Sequence, residues 1–168
     1  LDPQLAAEFA GASDITLNLS DFARLDLLVD RIFITENKVN GLAFPAIRNA
    51  LVIFGLGYGV QLLKDVPWLS ACQINYWGDI DSHGFAMLSQ LRSYFPRARS
   101  LLMDETTLLA CRSLWGTESE ETAHRAAQLP NLHHAEQQLY QKLKDHWQPR
   151  LRLEQERIPY TLLQEVVQ

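Results

Sequence analysis

The chain has 168 residues, of which 47% are hydrophobic, so it fits one domain of ordinary size with ample material for a core. No apolar run approaches the roughly 20 residues of a membrane-spanning helix, and two cysteines cannot form a disulfide framework or a four-cysteine zinc site. The net charge of −5 argues against a protein that binds nucleic acid through bulk positive charge, but it allows a nuclease whose metal site is made of carboxylates. The sequence starts without Met or a signal peptide, so we expect a piece of a longer, cytoplasmic protein.

Short apolar segments alternate with helical ones through the first two thirds of the chain, which predicts an α/β fold with a parallel sheet of about four strands flanked by helices. Buried strands are predicted at 31–35, 51–54, 72–77 and 100–103, and a weak alternation at 13–19 could add an edge strand. Helices are expected at 60–64 and at 83–94, the second with Ser82 as its N-cap.

The last third of the chain has a different character. It predicts helices at 117–127 and 132–146, an alternating extended segment at 149–157 and a short terminal helix. We therefore divide the chain into a lead-in segment (1–24), a catalytic core (25–115) and a C-terminal helical extension with an acidic segment (116–168).

Acidic residues follow three of the four predicted strands, namely Glu36, the pair Asp79 and Asp81, and Asp104. Ligands of open α/β sheets bind at the carboxyl ends of the strands, so we expect these side chains to converge at one edge. Two carboxylates two residues apart can both reach one cation, and divalent ions such as Mg²⁺ prefer oxygen ligands. Asp is also common in turns and at helix starts, which is the structural alternative. Glu36 could bind the same metal or act as a general acid or base, and Asp104 could orient a ligand.

A glycine-rich turn, with Gly55, Gly57 and Gly59, follows the second predicted strand and could hold a phosphate. The dinucleotide-binding fingerprint would need a third glycine where Val60 stands, although Asp79 lies about twenty residues further on, as that fingerprint requires. A nucleotide-binding Rossmann-like enzyme therefore remains an alternative, as does a turn that needs glycine only for its backbone.

Other polar residues are candidates for contacts with phosphate or with a second metal. Lys38 follows Glu36 closely, and His83 lies inside the Asp79–Asp81 turn, so both could bind a substrate phosphate. Glu154 and Glu156 share one face of an extended segment. They could supply further metal ligands, with Glu156 slightly preferred because the chain is stiff near Pro159, or they could belong to an exposed strand of alternating charge.

Glu36 after one strand, a glycine-rich turn after the next, and Asp-Ile-Asp-Ser-His-Gly at 79–84 after the third resemble the Toprim domain of topoisomerases, primases and related nucleases. The Asp-x-Asp-x-x-Gly form looks most like the topoisomerase VI A subunit. The segments at 34–38, 76–85, 102–104 and 152–159 are more similar still to the C-terminal region of the JetD family of Wadjet plasmid-defence systems, also called MksG or EptD.

This resemblance implies a Toprim-type metal-dependent endonuclease that hydrolyses plasmid DNA together with an SMC or condensin-like complex, with a possible homodimer and no membrane partner. It implies one or two Mg²⁺ or Mn²⁺ ions held by Glu36, Asp79 and Asp81, with Glu154 or Glu156 at a second site. A Toprim-like scaffold without catalysis is the remaining alternative. The family resemblance also implies that a winged-helix DNA-binding part lies outside this piece. We therefore expect this piece to bind DNA weakly, through its basic residues Lys38, Arg48, Arg92, Arg97 and Arg99.

Overall fold

The structure is a computed structural model that describes residues 2–167, apart from the side chains of Pro3, Gly57, Tyr58 and Asp145. Four parallel strands form one sheet in the order β2-β1-β3-β4. They are β1 (Arg31–Thr35), β2 (Ala50–Phe54), β3 (Gln73–Trp77) and β4 (Arg99–Ser100). The predicted α/β fold with a four-stranded parallel sheet flanked by helices is confirmed.

The two central strands are continuous apolar runs because both of their faces are covered. In β1 and β3 only the first residue of each strand is not buried. Thr35 pairs with Phe54 on one side and with Trp77 on the other, so β1, β2 and β3 end level with one another. This register brings the residues that follow all three strands to the same edge of the sheet.

Seven α-helices and several short 3-10 helices surround the sheet in the described part of the chain. The α-helices are α1 (Pro3–Glu8), α2 (Leu19–Ala23), α3 (Lys38–Leu42), α4 (Ser82–Tyr94), α5 (Glu105–Ala110), α6 (His134–Asp145) and α7 (Tyr160–Val167). The 3-10 helices are Gly57–Asp65, Pro67–Ala71, Arg112–Leu114 and Gln155–Arg157. Within residues 2–167, none of these helices is long and apolar enough to cross a membrane.

A second, antiparallel pair of strands lies outside the main sheet: β5 (Gly116–Thr117) pairs with β6 (Leu151–Arg152). The helix expected at 117–127 is therefore wrong. The backbone starts out extended, because Thr117 pairs with Leu151 and the Glu118 amide donates to the Arg150 carbonyl at 2.8 Å, and a turn follows at 120–122.

Three other sequence-based expectations also need correction. Residues 13–19 form no strand, and the side chain of Asn18 instead caps α2. The helix expected at 60–64 is a longer 3-10 helix, Gly57–Asp65. The fourth strand stops after Ser100, because Leu102 has a φ of 54° and this left-handed conformation cannot continue a strand.

A buried ion pair joins α4 to α6. Arg92 Nη2 donates to Glu136 Oε1 at 2.8 Å, and Arg92 Nη1 contacts Glu136 Oε2. The same carboxylate accepts from Ser100 Oγ at 2.7 Å and from the His133 amide at 2.8 Å. Arg92 is therefore committed inside the protein, and its expected role in DNA binding is wrong.

The C-terminal extension packs onto the same hydrophobic core as the sheet. That core includes residues from both parts of the chain, and those after residue 116 include Leu139, Leu143, Leu151, Leu153 and Leu163. The expected division into three segments stays a prediction, and its outermost residues, 1 and 168, lie outside the described part of the chain.

Replacing Glu136 by Gln should destabilise the protein by about 3–5 kcal/mol, because the buried Arg92 guanidinium would lose its counter-charge. The matched control is Glu105→Gln. Glu105 pairs with Lys142 at 2.6 Å, but the two side chains are 41% and 37% exposed. This exposed pair should contribute about 1 kcal/mol or less. Urea unfolding of both variants tests the difference, and equal losses would contradict a special role for the buried pair.

Candidate functional site

The candidate site lies at the carboxyl edge of the sheet, where Glu36 follows β1 and the segment 78–81 leads from β3 into α4. In the middle of this segment, Ile80 is wholly buried and pairs with Leu153. The Ile80 amide donates to the Leu153 carbonyl at 2.9 Å, and the Leu153 amide donates to the Ile80 carbonyl at 3.0 Å. The C-terminal segment is thereby fixed across the turn that carries Asp79 and Asp81.

Two glycines allow the close approaches on which this edge depends. A Cβ atom on Gly78 would lie 2.6 Å from Glu36 Oε1, and one on Gly84 would lie 2.2 Å from the Asp79 carbonyl oxygen. Glu36 Oε1 also accepts a hydrogen bond from the hydroxyl of Tyr76, whose side chain is wholly buried. Gly78 therefore keeps open the space that the Glu36 carboxylate occupies.

Asp81, not Ser82, is the N-cap of α4. Its Oδ1 accepts from the Gly84 amide at 2.7 Å. A second buried carboxylate, that of Glu118, accepts from Ser82 Oγ at 2.6 Å and from the amides of Ser82 and His83 at 3.3 and 3.2 Å. The start of α4 thus holds two acids on its unpaired N–H groups, which is a favourable position for negative charge.

Arg152 supplies the cation of the site. Its Nη2 and Nε lie 2.6 and 3.1 Å from Asp79 Oδ2, and its Nε lies 3.4 Å from Asp81 Oδ2. The other oxygen of Asp79, Oδ1, accepts from the Gln155 amide at 2.8 Å. Both oxygens of Asp79 are therefore held by the C-terminal segment.

Gln155 links that segment to β1. Its side chain is wholly buried, its Nε2 donates to Thr35 Oγ1 at 2.5 Å, and its Oε1 accepts from the Asn37 amide at 3.3 Å. Gln155 thus fixes Asp79 through its backbone and the end of β1 through its side chain.

Negative charge is only partly compensated in this cluster. Burial raises the pKa of Asp81 to about 8, and the charges of Glu118 and Asp79 act in the same direction. Burial also raises the pKa of Glu36, and the charge of Asp79 adds to this effect while the Tyr76 hydrogen bond opposes it. Arg152 contacts Asp79 and Asp81, yet the pKa values of Asp81 and Glu36 stay raised, so an additional positive charge would be stabilised here.

Comparison with known protein families identifies the family to which this chain belongs. The model of the family described as Wadjet protein JetD, C-terminal, matches residues 1–167. The chain belongs to this family. Membership makes it a component of a Wadjet defence system, and the match includes every residue of the cluster. A search of curated proteins found no match.

The structure places the predicted site residues of this JetD-family domain as follows. Glu36, Asp79 and Asp81 come to one edge of the sheet, as the strand order predicted. His83 lies in the first turn of α4, where its charge acts on Glu36. Lys38 is exposed at the first residue of α3.

The second acidic pair is divided by the structure. Glu154 is half-buried, with Oε1 3.8 Å from Arg152 Nη2 and Oε2 2.5 Å from Arg157 Nε. Glu156 is exposed on the 3-10 helix Gln155–Arg157. This arrangement favours Glu154 over Glu156 as the member of the pair near the cluster.

The remaining sequence-based candidates are Asp104 and three arginines. Asp104 follows β4, but it is exposed and its Oδ1 caps α5. Arg48 precedes β2, Arg99 begins β4, and Arg97 donates to the Ser70 carbonyl ahead of β3. These three arginines therefore lie toward the amino edge of the sheet, and their expected place beside the site is wrong.

The glycine-rich turn follows β2, which is the edge strand, and β1 separates it from Asp79 on the side of β3. Gly55 has a φ of 73°, so this turn needs glycine for its backbone. The surroundings of Gly57 lie outside the described residues.

Sequence reasoning missed Glu118 and the role of Arg152. Glu118 falls in the predicted helix at 117–127, which does not form, and nothing in its spacing points to Ser82. The alternation at 149–157 puts Arg152 on the same face as Glu154 and Glu156, opposite the buried Leu151 and Leu153, but it does not show that Asp79 is the partner of Arg152.

The donor set fits a hard divalent cation, because the side chains at this edge offer carboxylate oxygens and Gly78 keeps space beside Glu36. The ligands are not preassembled, however. In the part of the chain that the structure describes, no three His, Cys, Asp or Glu side chains are grouped so that they could hold a metal ion as they stand.

Replacing Asp81 by Asn should stabilise the protein at about pH 8 when no divalent metal is present. The unfolded wild-type chain ionises Asp81 near pH 4, whereas the folded protein keeps the proton up to about pH 8, so stability falls as the pH rises between these values. Asn still accepts at an N-cap but carries no proton. One pKa unit corresponds to about 1.4 kcal/mol, so we expect a rise of about 5 °C or more in Tm.

The matched control for this prediction is Asp104→Asn, because Asp104 caps α5 in the same way but is exposed. Thermal unfolding at about pH 5 and about pH 8 in EDTA compares the variants. The Tm gain of Asp81→Asn should grow with pH, and Asp104→Asn shows how much of that gain comes from replacing an N-cap carboxylate by an amide. A gain that does not depend on pH would show that Asp81 ionisation costs the folded state nothing.

Proposed function

We propose that this domain is a metal-dependent endodeoxyribonuclease of Toprim type that hydrolyses plasmid DNA and acts with an SMC or condensin-like complex of its Wadjet system. The observation that carries the proposal is the convergence of Glu36, Asp79 and Asp81 at one edge of a parallel sheet in a JetD-family chain. The excess of buried carboxylate over cation at this edge supports a role for a divalent metal.

Glu36, Asp79 and Asp81 would hold Mg²⁺ or Mn²⁺. A metal ion at such a site neutralises charge on the scissile phosphate and generates a water nucleophile. Tyr76 orients Glu36 by its hydrogen bond, and the Gln155 amide fixes one oxygen of Asp79. Both contacts are made by buried groups, so they restrict the orientation of each carboxylate, although the ligand set as a whole is not preassembled.

Glu36 is also suited to exchange a proton with water or substrate. Burial raises its pKa above the usual range of a glutamate, which is the direction in which enzymes tune carboxyl groups for general acid or base catalysis. Lys38 and His83 are the proposed phosphate contacts, because α3 starts directly after Glu36 and His83 lies within the electrostatic reach of the same carboxylate.

The double variant Asp79→Asn, Asp81→Asn should lose Mn²⁺ binding and plasmid cleavage while keeping its fold, because two anionic ligands become neutral. Titration calorimetry with Mn²⁺ and with NAD measures binding, and supercoiled plasmid reports cleavage. Asp104→Asn removes one exposed carboxylate, which caps α5, and should behave like the wild type. Binding of NAD without Mn²⁺ would favour a nucleotide-binding enzyme, and unchanged Mn²⁺ affinity in the double variant would exclude this metal site.

Glu154→Gln should weaken Mn²⁺ binding or cleavage more than Glu156→Gln does. Glu154 lies 3.8 Å from Arg152, which contacts both aspartates, whereas Glu156 is exposed on the 3-10 helix. The two substitutions are chemically identical and lie two residues apart, so each is the control for the other. A larger effect of Glu156→Gln in the same assays would restore the preference that the sequence suggested.

A further inference from the structure

The guanidinium of Arg152 lies between carboxylate oxygens of Asp79 and Asp81 and contacts both residues. Its Nη2 and Nε approach Asp79 Oδ2 at 2.6 and 3.1 Å, and its Nε is 3.4 Å from Asp81 Oδ2. These are the two carboxylates that would share a metal ion. Two cations cannot occupy this position together, because like charges at such separations repel strongly.

We propose that Arg152 is an internal competitor of the metal ion: it occupies Asp79 and Asp81 until a metal displaces its guanidinium, and it thereby sets the metal affinity of the site. This inference rests on the proposed function. Arg152 is a positioning residue in this account, because it acts through the two aspartates.

The exposure of the three side chains is consistent with displacement of the arginine rather than of its partners. The side chain of Arg152 is 33% exposed, whereas those of Asp79 and Asp81 are 13% and 5% exposed. The backbone of Arg152 is fixed, because it pairs with Gly116 and is followed by the Leu153 bridge to Ile80. Only the long side chain can therefore leave the cluster, and it can leave toward solvent.

A second partner is already in place for the displaced guanidinium. Glu154 Oε1 lies 3.8 Å from Arg152 Nη2, and the Glu154 side chain is 29% exposed. When a metal takes Asp79 and Asp81, Arg152 can pair with Glu154 at the rim, so its charge is not left without a partner. The exchange replaces one cation by another at the aspartates and needs no change of backbone.

The two possible roles of Arg152, competing with the metal or supporting Asp79, predict opposite changes in metal affinity when its side chain is removed. If Arg152 merely holds Asp79 in place, its removal should weaken metal binding. If Arg152 competes, its removal should strengthen metal binding even though it weakens the protein without metal. A gain in affinity is therefore a result that a purely structural role cannot give.

The test is calorimetric titration of Mn²⁺ into the wild-type 168-residue chain and its Arg152→Gln variant. We expect the Kd of the variant to fall about tenfold, which corresponds to about 1.4 kcal/mol. The rise in Tm that Mn²⁺ produces should increase in parallel. Arg150→Gln is the matched control, since Arg150 lies two residues earlier and pairs with the exposed Glu120 at 3.4 Å. It removes the same charge and should change Kd by about twofold or less, through long-range electrostatics alone.

The outcomes separate this inference from the proposed function. If the wild type binds Mn²⁺ and Arg152→Gln binds it equally or more weakly, the competition is excluded while the metal site stands. If neither protein binds Mn²⁺, the metal site and the competition are both overturned. If Arg152→Gln does not fold, Arg152→Met replaces it, because Met is unbranched and apolar and so removes the charge while keeping a long side chain. A tighter Kd in Arg152→Met supports the competition, and an unchanged or weaker one excludes it.

Discussion

Ile80 and Leu153 exchange two backbone hydrogen bonds, and this short antiparallel contact determines how the candidate site is assembled. On one side it fixes the turn that carries Asp79 and Asp81, and on the other it fixes the segment that carries Arg152 and Gln155. Both paired residues are wholly buried, so the contact is protected from water. Through it, residues from the end of the chain make the hydrogen bonds to Asp79.

The acidic cluster at the carboxyl edge of the sheet carries more negative charge than its surroundings neutralise. Several contacts reduce the free energy that burying this charge costs. The N-terminus of α4 stabilises Asp81 and Glu118 through its unpaired N–H groups. Tyr76 donates to Glu36, and Arg152 contacts both aspartates. Even so, burial raises the pKa of Asp81 to about 8. The protein thus keeps an arrangement that is unfavourable for stability, as is common where side chains serve binding or chemistry.

The parts of the site that follow from local sequence were predictable. The central strands are apolar on both faces, and parallel strands put their carboxyl ends at one edge, so Glu36 and Asp79 were expected to meet. The sequence does not separate Asp81 from Ser82 as the N-cap of α4, because both are good N-cap residues. In the structure, Ser82 Oγ instead donates to Glu118 and accepts from the His124 amide. Arg152 and Glu118 could not be placed, since their partners are 73 and 36 residues away and depend on the pairing of β5 with β6.

The position of Arg152 and Gln155 near the end of the sequence has a consequence for biosynthesis. A ribosome releases the strands of the sheet well before it releases these two residues, and domains tend to form from the N-terminal side. The acidic edge therefore exists first without its arginine and without the amide that orients Asp79. The complete arrangement arises only after β6 and the segment that follows it have been synthesised, so a shorter chain carries the acids of the candidate site without the contacts that organise them.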